Sequence, residues 1–150
     1  MRSRGVCLPS ICAGVLAAAL LASGCASSTA PSSFAPFTQT DVVVGTGDVA
    51  VDGASITVNY TGWLYDPTKP DNKGLQFDTT TGQSPFTFTL GAGNVIAGWD
   101  QGLVGMKVNG IRRLIIPPSL AYGGTRSGDI PPYSTLVFDI QLVSVTPPSS

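Results

Sequence analysis

Val95-Ile-Ala-Gly-Trp-Asp-Gln-Gly-Leu103 is the one short run of this chain with helical spacing, and its role governs the architecture around it. Ile96, Trp99 and Leu103 fall three and four residues apart, the spacing that gathers side chains on one face of a helix. The run is short, one or two turns, and strand-like segments bracket it. A large indole on so short a helix either plugs the core of a small sheet or floors a pocket. The stretch alone leaves both open.

Working outward, Ser55-Ile-Thr-Val-Asn-Tyr60 alternates polar and apolar residues and places Ile56, Val58 and Tyr60 on one face. Phe86-Thr-Phe-Thr-Leu90 alternates as cleanly. Arg112 to Ile116 reads as a strand, basic then apolar, stopped by Pro117-Pro118. Thr135 to Leu142 turns Leu136, Phe138, Ile140 and Leu142 inward with Val137 opposite. Antiparallel strands with one buried face, covered by a single short helix, make a small α+β domain. Two longer connections interrupt the pattern. Leu64 to Gln76 is polar and punctuated by Pro, so it reads as a surface loop or bulge; Tyr122 to Pro132 is rich in Gly and closed by a rigid Pro pair. Loops of that size on a small scaffold are where binding usually resides.

Composition removes several classes of function. The chain has no His, and Cys7, Cys12 and Cys25 all precede the folded part, so imidazole and thiol chemistry is excluded there. No metal-ligand spacing, phosphate-binding Gly loop or internal repeat is present, and no cofactor is expected. Without Arg2 and Arg4, six basic residues face nine acidic ones, a net charge of about −3 that argues against a nucleic-acid partner.

The N-terminus reads as an export signal. Arg2 and Arg4 precede a mostly apolar run of 17 residues, Val6 to Ala22, at the short edge of what spans a bilayer. Leu21-Ala22-Ser23-Gly24-Cys25 resembles the lipobox of bacterial lipoproteins, with Ala22 where Leu is commoner. That resemblance implies cleavage before Cys25, lipid on its thiol and anchoring to the outer side of a membrane; a retained transmembrane anchor and cleavage without lipid are the competing readings. Ala26, in place of an Asp, is similar to the pattern of lipoproteins not retained at the inner membrane. The expected layout is a signal peptide over 1–24, lipidated Cys25 and a Ser/Thr/Ala/Pro-rich tether to residue 40, a domain over 41–146 and a tail over 147–150. Phe34 and Phe37 are the tether residues able to pack back on the domain edge.

Six segments then resemble the FK506-binding type of peptidyl-prolyl cis-trans isomerase. They are Val58-Asn-Tyr-Thr-Gly-Trp-Leu64, Phe77-Asp-Thr-Thr80, Pro85-Phe-Thr-Phe-Thr-Leu-Gly91, Val95 to Leu103, Leu120-Ala-Tyr-Gly123, and Ile130-Pro-Pro with Thr135-Leu-Val-Phe-Asp-Ile140. They run in family order across about 100 residues. The resemblance implies a twisted antiparallel sheet of about five strands wrapped around one short helix. It implies a pocket in which Tyr60, Asp78, Trp99 and Tyr122 act on the substrate, and Phe77, Phe86, Val95, Ile96 and Phe138 bind it, with Ile130 at the rim. Trp99 would be the floor, the Tyr122 hydroxyl and the Ile96 N–H would bond ligand carbonyls, and Asp78 would be the lone carboxylate near the rotating bond. Expected partners are proline-containing exported polypeptides and FK506- or rapamycin-like macrolides, met by a monomer.

Competing readings attach to several of these residues. A tethered module that grips proline segments without catalysis would use the same pocket. Asp78 could instead brace a loop through backbone N–H groups. Phe88 reads as packing behind the pocket, Asp100 as solvated, and Arg112-Arg113 as a strand pair with at least one member in water. Departures from the family fall at the rim, where Arg126, Ser127 and Asp129 replace other residue types, and between Thr79 and Ser84, which lacks basic residues. The Leu64–Gln76 insertion is too short for a separate chaperone lobe.

Overall fold

The computed structural model describes residues 34–148, so the signal peptide, Cys25 and most of the expected tether lie outside the described residues. Six strands form one antiparallel sheet: β1 (Thr38–Val43), β2 (Ser55–Tyr65), β3 (Lys73–Thr79), β4 (Phe86–Thr89), β5 (Ile111–Ile116) and β6 (Leu136–Thr146). Their order across the sheet is β1-β5-β6-β2-β3. β6 lines one edge of β2, while β4 and then β3 share the other. One α-helix, α1 (Ala97–Gly102), covers the apolar face.

The expected α+β architecture is the one observed, with the alternating strands in register. Ile56 and Val58 of β2 and Leu136, Phe138, Ile140 and Leu142 of β6 are buried together with Trp99 and Leu103 of the helix. Val137, on the other face of β6, is buried as well. The helix lies directly over β5. A Cβ added at Gly98 would come within 2.5 Å of Ile116, and one at Gly102 within 2.7 Å of Leu114. Glycine inside a helix costs about 0.5–1 kcal/mol relative to alanine. Here it buys close approach: both glycines face β5, which lets Trp99 sink into the core.

Three expectations change. The stretch from Leu64 to Gln76 is strand at both ends: β2 runs on to Tyr65 and β3 begins at Lys73. Irregularities on both sides of Trp63 break the alternation that would have revealed the pairing. Only the Pro-containing residues between Tyr65 and Lys73 connect the two strands. The sheet also begins at Thr38, inside the expected tether. Every residue of β1 is exposed, so hydrophobic patterning could not mark it, and Phe37 before it packs against the core.

Both members of the Arg112-Arg113 pair are ion-paired, and only Arg113 keeps partial contact with solvent, the third change. Arg112 is only 6% exposed. Its guanidinium grips the Asp41 carboxylate of β1 at 2.5 and 3.1 Å and donates to the carbonyls of Gly102 and Val104 at 2.8 and 3.1 Å. A cation thus meets the orphan carbonyls at the C-terminal end of the helix, where the dipole favours it. Arg113 bridges Asp139 of β6 and Asp71. Lys73 also reaches Asp139 at 2.6 Å while lying 4.3 Å from the Trp63 ring centre. Burial raises the Asp139 pKa, but Arg113 and Lys73 together outweigh it and hold the carboxyl below its usual value.

Candidate functional site

A cavity of about 200 Å³ opens where the helix meets the sheet. β2 contributes Tyr60, β3 contributes Phe77 and Asp78, β4 Phe86, and β6 Phe138. The turn before the helix adds Asn94, Val95 and Ile96; the helix adds Trp99, and the segment after β5 adds Tyr122. Nine of the ten expected lining residues are therefore brought together.

The tenth, Ile130, is not at the rim. It is buried in the core and exchanges two backbone hydrogen bonds with Ser127, at 2.8 and 3.1 Å, closing the Gly-rich loop tightly. An isoleucine beside two prolines carries no sign of which way it points. Asn94 is the lining residue that sequence reasoning missed. Its place directly before Val95-Ile96 was the available signal, but a polar residue in an exposed turn is unremarkable in pattern.

The walls are rings set edge to face. The Tyr60 ring lies 4.9 Å from that of Trp99 at 80°, and Phe138 lies 5.2 Å from Trp99 at 87°. Phe77 meets Phe138 at 5.6 Å and 86°, and Phe86 meets Trp99 at 6.3 Å and 71°. Edge-to-face pairs are favoured by the ring quadrupole, so the rings fix one another. Phe88 stacks on Phe86 at 5.4 Å and is buried outside the cavity, as its place on the strand suggested. Trp99 is 4% exposed and yet lines the cavity, so plug and floor are one residue. Its indole Nε1 is buried without a hydrogen-bond partner. Phe86 and Tyr122, each 40% exposed, stand at the mouth.

One polar pair interrupts the aromatic lining. The Tyr60 hydroxyl donates to Asp78 Oδ2 at 2.5 Å, while Asp78 Oδ1 accepts the Thr79 N–H at 2.8 Å. Tyr60's own backbone is clamped to Thr80: its N–H donates to Thr80 Oγ1 at 2.9 Å, and its carbonyl accepts the Thr80 N–H at 3.0 Å. Burial first, and then the bond to Asp78, push the Tyr60 pKa well above its ordinary value. The phenol therefore stays a donor at every physiological pH.

Asp100, expected in water, is half-buried and bonded. Oδ1 accepts the Gly91 N–H at 2.9 Å and Oδ2 the Gly93 N–H at 3.1 Å. The helical period puts it beside Trp99 but could not show that the preceding turn folds back on it. Ile96 precedes the helix, and its carbonyl accepts the Trp99 N–H at 2.9 Å. Among the described residues no three His, Cys, Asp or Glu side chains converge as a metal site, and no helix is long and apolar enough to cross a membrane.

Comparison with known proteins agrees with this geometry. The model of the FKBP-type peptidyl-prolyl cis-trans isomerase family matches residues 47–143. An FK506-binding protein of Neisseria meningitidis is 45% identical over 107 residues, covering 70% of this chain and 92% of the relative. FK506-binding protein 1 of Aspergillus oryzae is 37% identical over 105 residues, 67% of this chain and 90% of its own length. Among solved structures, FkpA from Escherichia coli superposes with a TM-score of 0.62 at 39% identity. The match covers 75% of this chain but 49% of FkpA, so the chain spans about half of that protein. A peptidyl-prolyl cis-trans isomerase from Pseudomonas syringae gives a TM-score of 0.61 at 36% identity, covering 74% of this chain and 76% of that one. Fold and pocket together define a prolyl isomerase. The chain belongs to the FKBP-type peptidyl-prolyl cis-trans isomerase family.

Proposed function

We propose that this isomerase rotates X–Pro bonds of exported polypeptides in the Trp99 pocket, and does so while held by lipid on Cys25 at the extracytoplasmic side of a membrane. The observation that carries the reading is the cavity of edge-to-face rings over Trp99, with one braced carboxylate in its wall.

The chemistry fits that enclosure. Rotation about an X–Pro amide meets a barrier of roughly 18–20 kcal/mol, because resonance holds the bond planar. Twisting removes the resonance and with it part of the charge separation between oxygen and nitrogen. An aromatic, water-poor cavity therefore favours the twisted amide over the planar one. In this reading the proline ring lies on Trp99 between Tyr60, Phe86 and Phe138, with Phe77 and Val95 closing the sides. The Tyr122 hydroxyl and the Ile96 N–H take the substrate carbonyls, which orients the bond. Asp78, held by Tyr60 and by the Thr79 N–H, is the fixed negative charge beside the rotating amide. The rotation requires no nucleophile, general base or metal.

The assay is cis-to-trans relaxation of an X–Pro peptide with the form that starts after Cys25. Acceleration, competed away by an FK506-like macrolide in the same cavity, is the expected result. No acceleration by a demonstrably folded domain overturns the proposed catalysis and leaves a proline-binding module. Cys25→Ser should release the full-length protein from membranes; unchanged partitioning would refute lipidation.

A further inference from the structure

The turn between β4 and α1 carries Asn94, Val95 and Ile96 into the cavity, yet it contains two glycines in the left-handed region, Gly91 (φ 77°) and Gly93 (φ 72°). Such a turn needs tethers, because glycine loses more conformational freedom on folding than any other residue. Its first end is tied down where Leu90 exchanges backbone hydrogen bonds with Gly53 and Ala54, both at 2.9 Å. Its far end is tied where the Ile96 carbonyl accepts the Trp99 N–H. Between these anchors the Gly91 and Gly93 amides both go to the Asp100 carboxylate. Packing does not hold Gly93, since a Cβ there would meet nothing within 4 Å.

We propose that Asp100 is a positioning residue for substrate binding: it ties the pocket-forming turn to the helix that carries Trp99, and so sets the distance from Ile96 and Val95 to the indole floor. The proposal rests on this pocket being the isomerase site. A carboxylate suits the task because each oxygen accepts one N–H. An Asn side chain offers one acceptor oxygen and turns an NH2 group toward the second amide.

The test compares Asp100→Asn, Asp100→Ala and Asp100→Glu with the wild type in the X–Pro relaxation assay. Asn and Ala should raise KM by about tenfold while kcat stays within about twofold, because binding geometry is lost while Tyr60, Asp78 and Trp99 stay in place. Glu, which keeps both acceptor oxygens, should recover most of the affinity. Amide hydrogen exchange at Gly91 and Gly93 should speed up in the Asn and Ala variants and return toward wild type in Glu. A merely structural role would lower the melting temperature and leave KM of the folded fraction unmoved. KM within about twofold of wild type in folded Asn and Ala variants therefore overturns the proposal. An inactive wild type overturns the functional reading beneath it; an active wild type with unmoved variants overturns the role of Asp100 alone.

Discussion

Trp99 carries two duties on one ring, and they can be separated by substitution. Its indole is buried against Phe138 and Tyr60 and also lines the cavity. Trp99→Leu keeps an apolar filler and removes the flat floor. The variant should fold, with stability reduced by about 2–3 kcal/mol, and kcat/KM should fall at least about tenfold. Circular dichroism and relaxation kinetics on one preparation check both. Loss of any folded population would mean that the ring serves the core alone. Tyr60 yields a different kind of outcome. Its folded-state pKa lies above its unfolded value, so its contribution to stability is complete below pH of about 10. That contribution disappears as pH climbs from there toward the folded value. Tyr60→Phe should flatten that alkaline loss and reduce stability by about 1 kcal/mol, read from denaturant titrations between neutral and high pH. An unchanged alkaline limb would show that another group governs it.

The helix is only Ala97–Gly102, far too short to persist in water alone. What holds it is contact with β5 along Gly98 and Gly102, and Arg112 from that strand closing its C-terminal end. Gly98→Ala raises intrinsic helix propensity, yet the added methyl would meet Ile116. Overpacking should win, destabilising the domain by about 1–3 kcal/mol. Ile116→Ala in the same chain removes every contacting side-chain atom, so the two losses should sum to less than additive, and strict additivity would refute the contact. Much of this element was legible, because Ile96, Trp99 and Leu103 keep the helical period. The ties of Asp100 and Arg112 were not. Each depends on backbone groups that only the folded turn and the finished helix present.

For the molecule as a whole, the N-terminal edge is where pattern and structure part most clearly. Among the described residues β1 pairs only with β5, and Phe37 packs on the core just ahead of it. A chain starting at Asp41 lacks Phe37 and half of the strand. Its melting temperature should lie about 5–10 °C below that of the form starting after Cys25, measured by calorimetry at equal concentration. Equal melting temperatures would mean that the edge strand adds nothing to the domain. β3 escaped notice for a related reason: irregular pairing around Trp63 interrupts its partner's alternation, and the nearby prolines suggest a loop.

The residue pattern carried the fold class, and the family resemblance carried most of the pocket. Alternation along β2, β4 and β6 and the period around Trp99 assign each side chain to the buried or the solvent face, and burying apolar surface is the main term that selects a fold. The polar pairings emerge in three dimensions alone: Tyr60 with Asp78, Asp100 with two glycine amides, Arg112 with Asp41, and Arg113 with Asp139. The tertiary structure also moved Ile130 into the core and brought Asn94 to the cavity. The physical reason is direction. Hydrophobic burial needs only a face, which periodicity records, whereas a hydrogen bond or ion pair needs a partner at one distance and angle. In three of these pairs that partner lies 18 to 71 residues away along the chain.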